Sequence, residues 1–264
     1  MDNKIIHTKI NNDKTKDIEK WVLDQKISKD LTTHWFVEEL PENIYNTIHH
    51  IIKDLSIYST FFANLGILYN INPIYDMNEL YVSTNNDSKN NSDKVFFKEH
   101  IDGPFGFFPL CGVYRVLVSC NDNNFITTHF PLRNKDYCIS RNSVLGFDYN
   151  REIHYITLNN DKKFNKEDQR IVLKLHYVVY PIGFEFLAII LSYLCTTYNT
   201  IARKAFINTL EPKSYKQKIL NNFIQFTTDN WIITEKYIRF RNISYLFTGI
   251  LFYNLLNGCI WILS

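Results

Sequence analysis

Hydrophobic positions change their period repeatedly along this chain, and the changes divide it. Residues 1–30 are mostly polar; Ile18, Trp21 and Val22 suffice for a short amphipathic helix, so this stretch is expected to be a loosely held extension. Trp35, Phe36 and Val37 read as a strand. After Pro41-Glu42, the residues Ile44, Ile48, Ile51, Ile52 and Leu55 recur at three- and four-residue steps, which lays an apolar stripe along one side of a helix. Residues 61–74 are apolar but of ambiguous type, interrupted by Gly66 and Pro73.

From Leu80-Tyr81-Val82 onward the texture is that of β structure. Strands are expected at 114–118, 125–130 and 171–179, with Val144-Leu145-Gly146-Phe147 opening another. Gly103-Pro104-Phe105-Gly106 and Asn121-Asp122-Asn123-Asn124 read as turns, and residues 85–93 as a loop. Short strands separated by turn residues predict a mainly β domain over 31–181, a jelly roll with flanking helices.

Past Pro181 the β pattern stops, and 182–264 is expected to be a helical hydrophobic C-terminal region. Residues 186–202 carry no charge, yet Ser192, Thr196, Thr197, Tyr198 and Asn199 interrupt them, so a buried or interfacial helix fits best. Residues 242–264 are also uncharged and reach the roughly 17–25 residues of a membrane span. Arg239 and Arg241 precede them as at a cytoplasmic flank. Asn254 and Asn257 would be costly at bilayer depth. Anchoring or interfacial association is the expectation; a helix buried on the domain or against a second subunit is the alternative.

Composition narrows the classes. With 29 basic and 27 acidic side chains the net charge is +2, which gives no footprint for a nucleic-acid partner. Five cysteines, widely spaced and without a Cys-x-x-Cys pair, suit a reducing compartment. Met1 to Lys20 is too polar for a secretory signal, so the protein is expected in the cytoplasm, with the cytoplasmic face of a membrane as the variant that the tail introduces.

The candidate chemistry lies in His100-Ile101-Asp102, His154 and Arg170. Two neutral imidazoles and one carboxylate on one face of an octahedron hold Fe(II) and leave the opposite face open. His100 and Asp102 are two residues apart, so on a strand both project from one face. His154 would return on a later antiparallel strand, the ligands meeting between two facing sheets; His129 and His176 are its rivals. A guanidinium at Arg170 can bind a dicarboxylate through two parallel hydrogen bonds, with Arg115 as a second anchor and Arg151 as a further competitor. His49 and His50, adjacent on a helix, point in different directions and read as surface residues.

At these residues the chain resembles the Fe(II)- and 2-oxoglutarate-dependent dioxygenases, whose signature is His-x-Asp, a distal His and a later Arg or Lys. The run from Phe147-Asp148 through His154 and Asn159 to Arg170-Ile171-Val172-Leu173 resembles the aspartyl/asparaginyl hydroxylase branch. That branch typically lacks the carboxylate that Asp102 supplies. The resemblance covers residues 80–181. It implies a double-stranded β-helix (cupin-like) domain, with His100, Asp102 and His154 as metal ligands and catalytic residues. Arg170 and Arg115 would bind 2-oxoglutarate, with ascorbate as reductant. The implied reaction is hydroxylation of a peptidyl Asp- or Asn-like side chain, or of a lipid-proximal substrate given the tail. Two other classes remain: a membrane-associated cupin-like binding module without turnover, and an assembly protein whose tail mediates oligomer contacts.

Overall fold

The computed structural model describes residues 4–11, 13–25, 27, 33–84, 97–122, 125–158, 169–209 and 214–263, with backbone alone at 84, 202–209, 221, 224–225, 251–252 and 254–263. In chain order its elements are β1 (Ile6–Lys9), α1 (Lys14–Asp24), β2 (Thr33–Phe36), α2 (Glu42–Ile52), α3 (Leu55–Leu65), β3 (Tyr69–Pro73), β4 (Glu79–Thr84) and β5 (Gly112–Ser119). There follow β6 (Ile126–Phe130), β7 (Lys135–Tyr137), β8 (Ser143–Asp148), β9 (Tyr155–Leu158), β10 (Gln169–Pro181), α4 (Glu185–Thr209), α5 (Tyr215–Tyr237) and α6 (Phe240–Leu263). The predicted loop at 85–93, Asn159 and most of the boundary near residue 31 lie outside the described residues.

The fold is mainly antiparallel sheet with flanking helices. A seven-stranded sheet runs β1-β8-β5-β10-β4-β2, with β3 also on β10, and a three-stranded sheet runs β7-β6-β9. The long β10 explains the layering through its period of two. Ile171, Leu173, Leu175, Tyr177 and Val179 face α1–α3, where they pack with Ile18, Val22, Ile48, Ile52 and Phe61. Val172 faces the other way, against Leu117, Leu145, Phe147 and Phe130 of the space between the sheets. Farther along, Val178 and Tyr180 meet Leu187, Ala188, Leu191 and Cys195 of α4.

Three expectations need correction. The described residues of 1–30 are not a loose extension: β1 pairs with β8 from Ile6↔Gly146 to Lys9↔Ser143, and Ile6, Ile10, Ile18 and Val22 belong to the main core. Leu55 does not extend the α2 stripe. The Asp54 side chain accepts from Ser56 N at 2.9 Å and caps a new helix there, which leaves Leu55 82% exposed. The expected span in the tail is not supported: among the described residues no helix is long and apolar enough to cross a membrane. The first turns of α6 instead pack on the domain, where buried Ser244 Oγ donates to Phe108 O at 3.0 Å.

Candidate metal centre

The described residues between β4 and β5 reach the site without forming a strand. His100 makes a single antiparallel bridge with His154, N to O in both directions at 3.0 and 3.1 Å. The ligand segments are therefore direct neighbours; they do not meet across two facing sheets as the sequence reading supposed. The donor atoms of His100, Asp102 and His154 all lie within 4.8 Å of one another. Asp102 Oδ1 is 3.7 Å from His100 Nε2, and Asp102 Oδ2 is 3.6 Å from His154 Nε2. Donors bonded at about 2.1 Å to one octahedral ion lie about 3 Å apart. A small contraction would close this set on a metal.

The backbone fixes which nitrogens face inward. His100 Nδ1 is 2.8 Å from Lys98 O, and His154 Nδ1 is 3.1 Å from Glu152 O. Bonding to carbonyls assigns the proton to Nδ1 in both rings, so each Nε2 presents its lone pair to Asp102. The chemistry of this donor set suits Fe(II). Glu152 is itself held by Arg133 Nη2 at 3.1 Å, and Phe147 packs on the His154 ring at 4.4 Å between centroids.

The charges are arranged to the same end. Burial pushes the Asp102 carboxyl up, but Arg115 first, then the two imidazoles and Lys174, more than offset this and hold it well below the usual carboxylate range. Arg115 Nη1 lies 2.8 Å from Asp102 Oδ2, and Arg115 Nε donates to His176 Nε2 at 3.1 Å. Its guanidinium carbon stands 4.8 Å from the centre of the Tyr149 ring. His154 is pushed down to about 3, by burial and then by the neighbouring His100, and burial lowers His100 likewise. Both rings are thus neutral at neutral pH, and a metal would displace no proton from them.

A second network shapes the loop that follows Asp102. Arg151 donates to Gly106 O at 2.6 Å and to Phe108 O at 2.8 Å, and its Nη1 pairs with Asp148 Oδ2 at 3.1 Å. Asn150 Oδ1 accepts from Phe105 N at 3.1 Å. Gly103 N donates to Tyr149 O at 2.9 Å, so close that an added Cβ would stand 2.3 Å from Asn150 Oδ1. A Cβ added at Gly106 would likewise stand 2.6 Å from the Phe240 ring of α6, and Lys236 of α5 pairs with Glu99, next to the first ligand. The turn from Asp148 to Arg151 thus braces both ligand segments, while the C-terminal helices brace the loop from outside.

The rival histidines are used elsewhere. His129 sits between Asp136 Oδ1 and Thr157 Oγ1, each at 2.7 Å, and His176 is the partner of Arg115. Arg170 is buried on β10, opposite Ser83, on the same face as Lys174 and His176. His176 is opposite Arg115, which places Arg170 six residues, about 20 Å of strand, from that level. Lys174 is only two residues away. It stands 3.5 Å from the centre of the Tyr81 ring and 3.7 Å from Glu79 Oε1. Sequence reasoning gave Lys174 no role, although the strand parity that put it beside Arg170 was available. The bracing by Arg151 was also missed, because only the fold brings residues 106, 108 and 151 together.

No protein-family model matches the chain, and no curated protein matches it. Among solved structures, a viral collagen prolyl hydroxylase from Paramecium bursaria Chlorella virus-1, in a 2OG complex, is similar with a TM-score of 0.40 and 12% identity, over 67% of this chain and 97% of that one. A prolyl 4-hydroxylase from Phytophthora capsici gives 0.40 and 11%, over 86% and 81%. One from Pseudomonas putida gives 0.37 and 10%, over 69% and 95%. At these values no residue is assigned from the neighbours, and the site stands on its own geometry.

Proposed function

We propose that this protein is an Fe(II)- and 2-oxoglutarate-dependent oxygenase acting as a hydroxylase. The observation that carries the reading is the convergence of two carbonyl-anchored imidazoles and one carboxylate within 4.8 Å in a buried site. The strand wiring supports it. Leaving β4, the chain visits the bridge at His100, then β5, β6, β7, β8, β9 and β10, with pairings β4-β10-β5-β8 in one layer and His100-His154, β9-β6-β7 in the other. Alternation between two layers is what a double-stranded β-helix requires, and it supports that reading.

In this reading His100, Asp102 and His154 hold the iron, and iron with 2-oxoglutarate supplies oxygen activation. The residues of the chain do the rest. Arg115 steadies the Asp102 oxygen that faces it and keeps the carboxylate ionised. By the resemblance Arg170 is the anchor for the remote carboxylate of 2-oxoglutarate, and Lys174, on the same β10 face and four residues nearer the level of Arg115, is its rival. Phe147 and Phe130 keep water from the His154 side. The substrate is a peptidyl side chain of the Asp or Asn type, by the resemblance of the 147–173 run.

The test is succinate formation from 2-oxoglutarate by the full chain with Fe(II), ascorbate and oxygen, beside Arg170→Ala and Lys174→Met. Loss of a charge-assisted bidentate anchor costs about 1.5–3 kcal/mol, roughly 10- to 150-fold in the KM for 2-oxoglutarate. The effect should fall on Arg170→Ala; finding it on Lys174→Met alone moves the anchor to Lys174. If no variant and no parent chain turns over, while Fe(II) still binds, the binding-module reading takes its place.

A further inference from the structure

The long helix α5 turns its large apolar side chains outward. Tyr215, Ile219, Phe223, Phe226, Ile233 and Tyr237 are between 52% and 83% exposed. At about 100° per residue they fall within about 80° of the helix circumference, a single stripe that runs the helix's length of about 35 Å. Its described buried residues, Ile232 and Glu235, lie on the opposite side. Exposed apolar area of this extent marks a docking surface.

Charge identifies what docks. Residues 185–264 hold eight Lys and Arg against four Asp and Glu, a balance of +4; the remaining 21 and 23 leave residues 1–184 at −2. On α5 itself, exposed Lys216 flanks one edge of the stripe and exposed Lys218 the other, where Asp229 also lies and Lys236 is paired with Glu99. A second copy of this chain would bring Lys216 and Lys218 of one stripe toward those of the other. An anionic headgroup layer instead accepts the apolar stripe at its acyl boundary while lysines on both edges reach phosphates. The tyrosines at the two ends, Tyr215 and Tyr237, suit that boundary, where one end of the ring is apolar and the other wet.

We propose that α5 lies in the plane of an anionic lipid bilayer surface and docks the protein there without spanning it. The inference does not depend on the oxygenase reading. The test is flotation of the full chain with phosphatidylcholine vesicles, with and without phosphatidylserine. Binding is expected only with phosphatidylserine and should weaken with salt. Each lysine lost near such a surface is worth roughly a fivefold change, so Lys216→Gln/Lys218→Gln should weaken binding about 25-fold. Phe223→Ser/Phe226→Ser should abolish binding while leaving the melting temperature and Fe(II) affinity unchanged, since both side chains are exposed. Equal binding by parent and variants, or equal binding to both vesicle types, would overturn the proposal. So would a chain that ignores both vesicles and sediments as a dimer dispersed by Phe223→Ser/Phe226→Ser, which would assign the stripe to a second copy.

Discussion

The β layers and the C-terminal helices treat their unusual residues in opposite ways. In the β layers and the turn that ends β8, charged groups are inside: Asp102, Arg115, Asp148, Arg151, Lys174 and Glu79 are all buried as side chains, and each meets an opposite charge. On α5, large apolar groups are outside. A buried charge is tolerated only when its partners are fixed, so the first region is rigid by necessity and suited to hold a metal. An exposed apolar stripe is tolerated only when something else covers it, so the second region is an interface. The two meet where Lys236, Phe240 and Ser244 touch Glu99, Gly106 and Phe108.

The comparison breaks most severely at Arg151. Arg151→Met leaves Asp148 without its cation, the carbonyl of Gly106 without its donor and that of Phe108 with Ser244 alone, and breaking such a buried pair costs about 3–5 kcal/mol; urea denaturation should register it. Arg115→Gln removes the cation that orients Asp102. By analogy with other outer partners of metal ligands, Fe(II) affinity should fall about 10- to 100-fold, read by titration with little change in fold.

The junction itself is sharpened by Glu235, whose buried carboxyl accepts from Phe240 N at 2.7 Å. Burial pushes it up to about 7 from 4.5. The native state therefore keeps a proton that the unfolded chain has released, so this contribution is complete below about pH 4.5 and is lost as pH rises through 7. Relative to Glu235→Gln, parent stability should decline across that window by up to about 3 kcal/mol, followed as the difference in melting temperature with pH. The smallest effect belongs to Lys236→Ala. Its partly exposed pair with Glu99 should be worth less than about 1 kcal/mol by a double-mutant cycle with Glu99→Ala.

Much of the site was legible because its chemistry is local in sequence. His100 and Asp102 announce themselves by spacing, and His154 follows a run of buried β residues. The β1 strand was not legible. Four residues that alternate only as Ile6, His7, Thr8 and Lys9, among asparagines and lysines, carry too little period to stand out, and pairing with β8 decides their fate. His100 and Asp102 were read as members of a strand, whereas a single bridge and a bend bring them together; Gly103 and Pro104 end any ladder there. The start of the uncharged tail is tied to the domain through Ser244, a contact that composition does not record.

The central claim is that His100, Asp102 and His154 form one metal centre. Its most direct test is anaerobic titration of the full chain with Fe(II), beside Asp102→Ala and His154→Ala. The account predicts one ion bound per chain, with binding lost in both variants while the fold survives by circular dichroism. Fe(II) binding that is unchanged in Asp102→Ala and His154→Ala would contradict it.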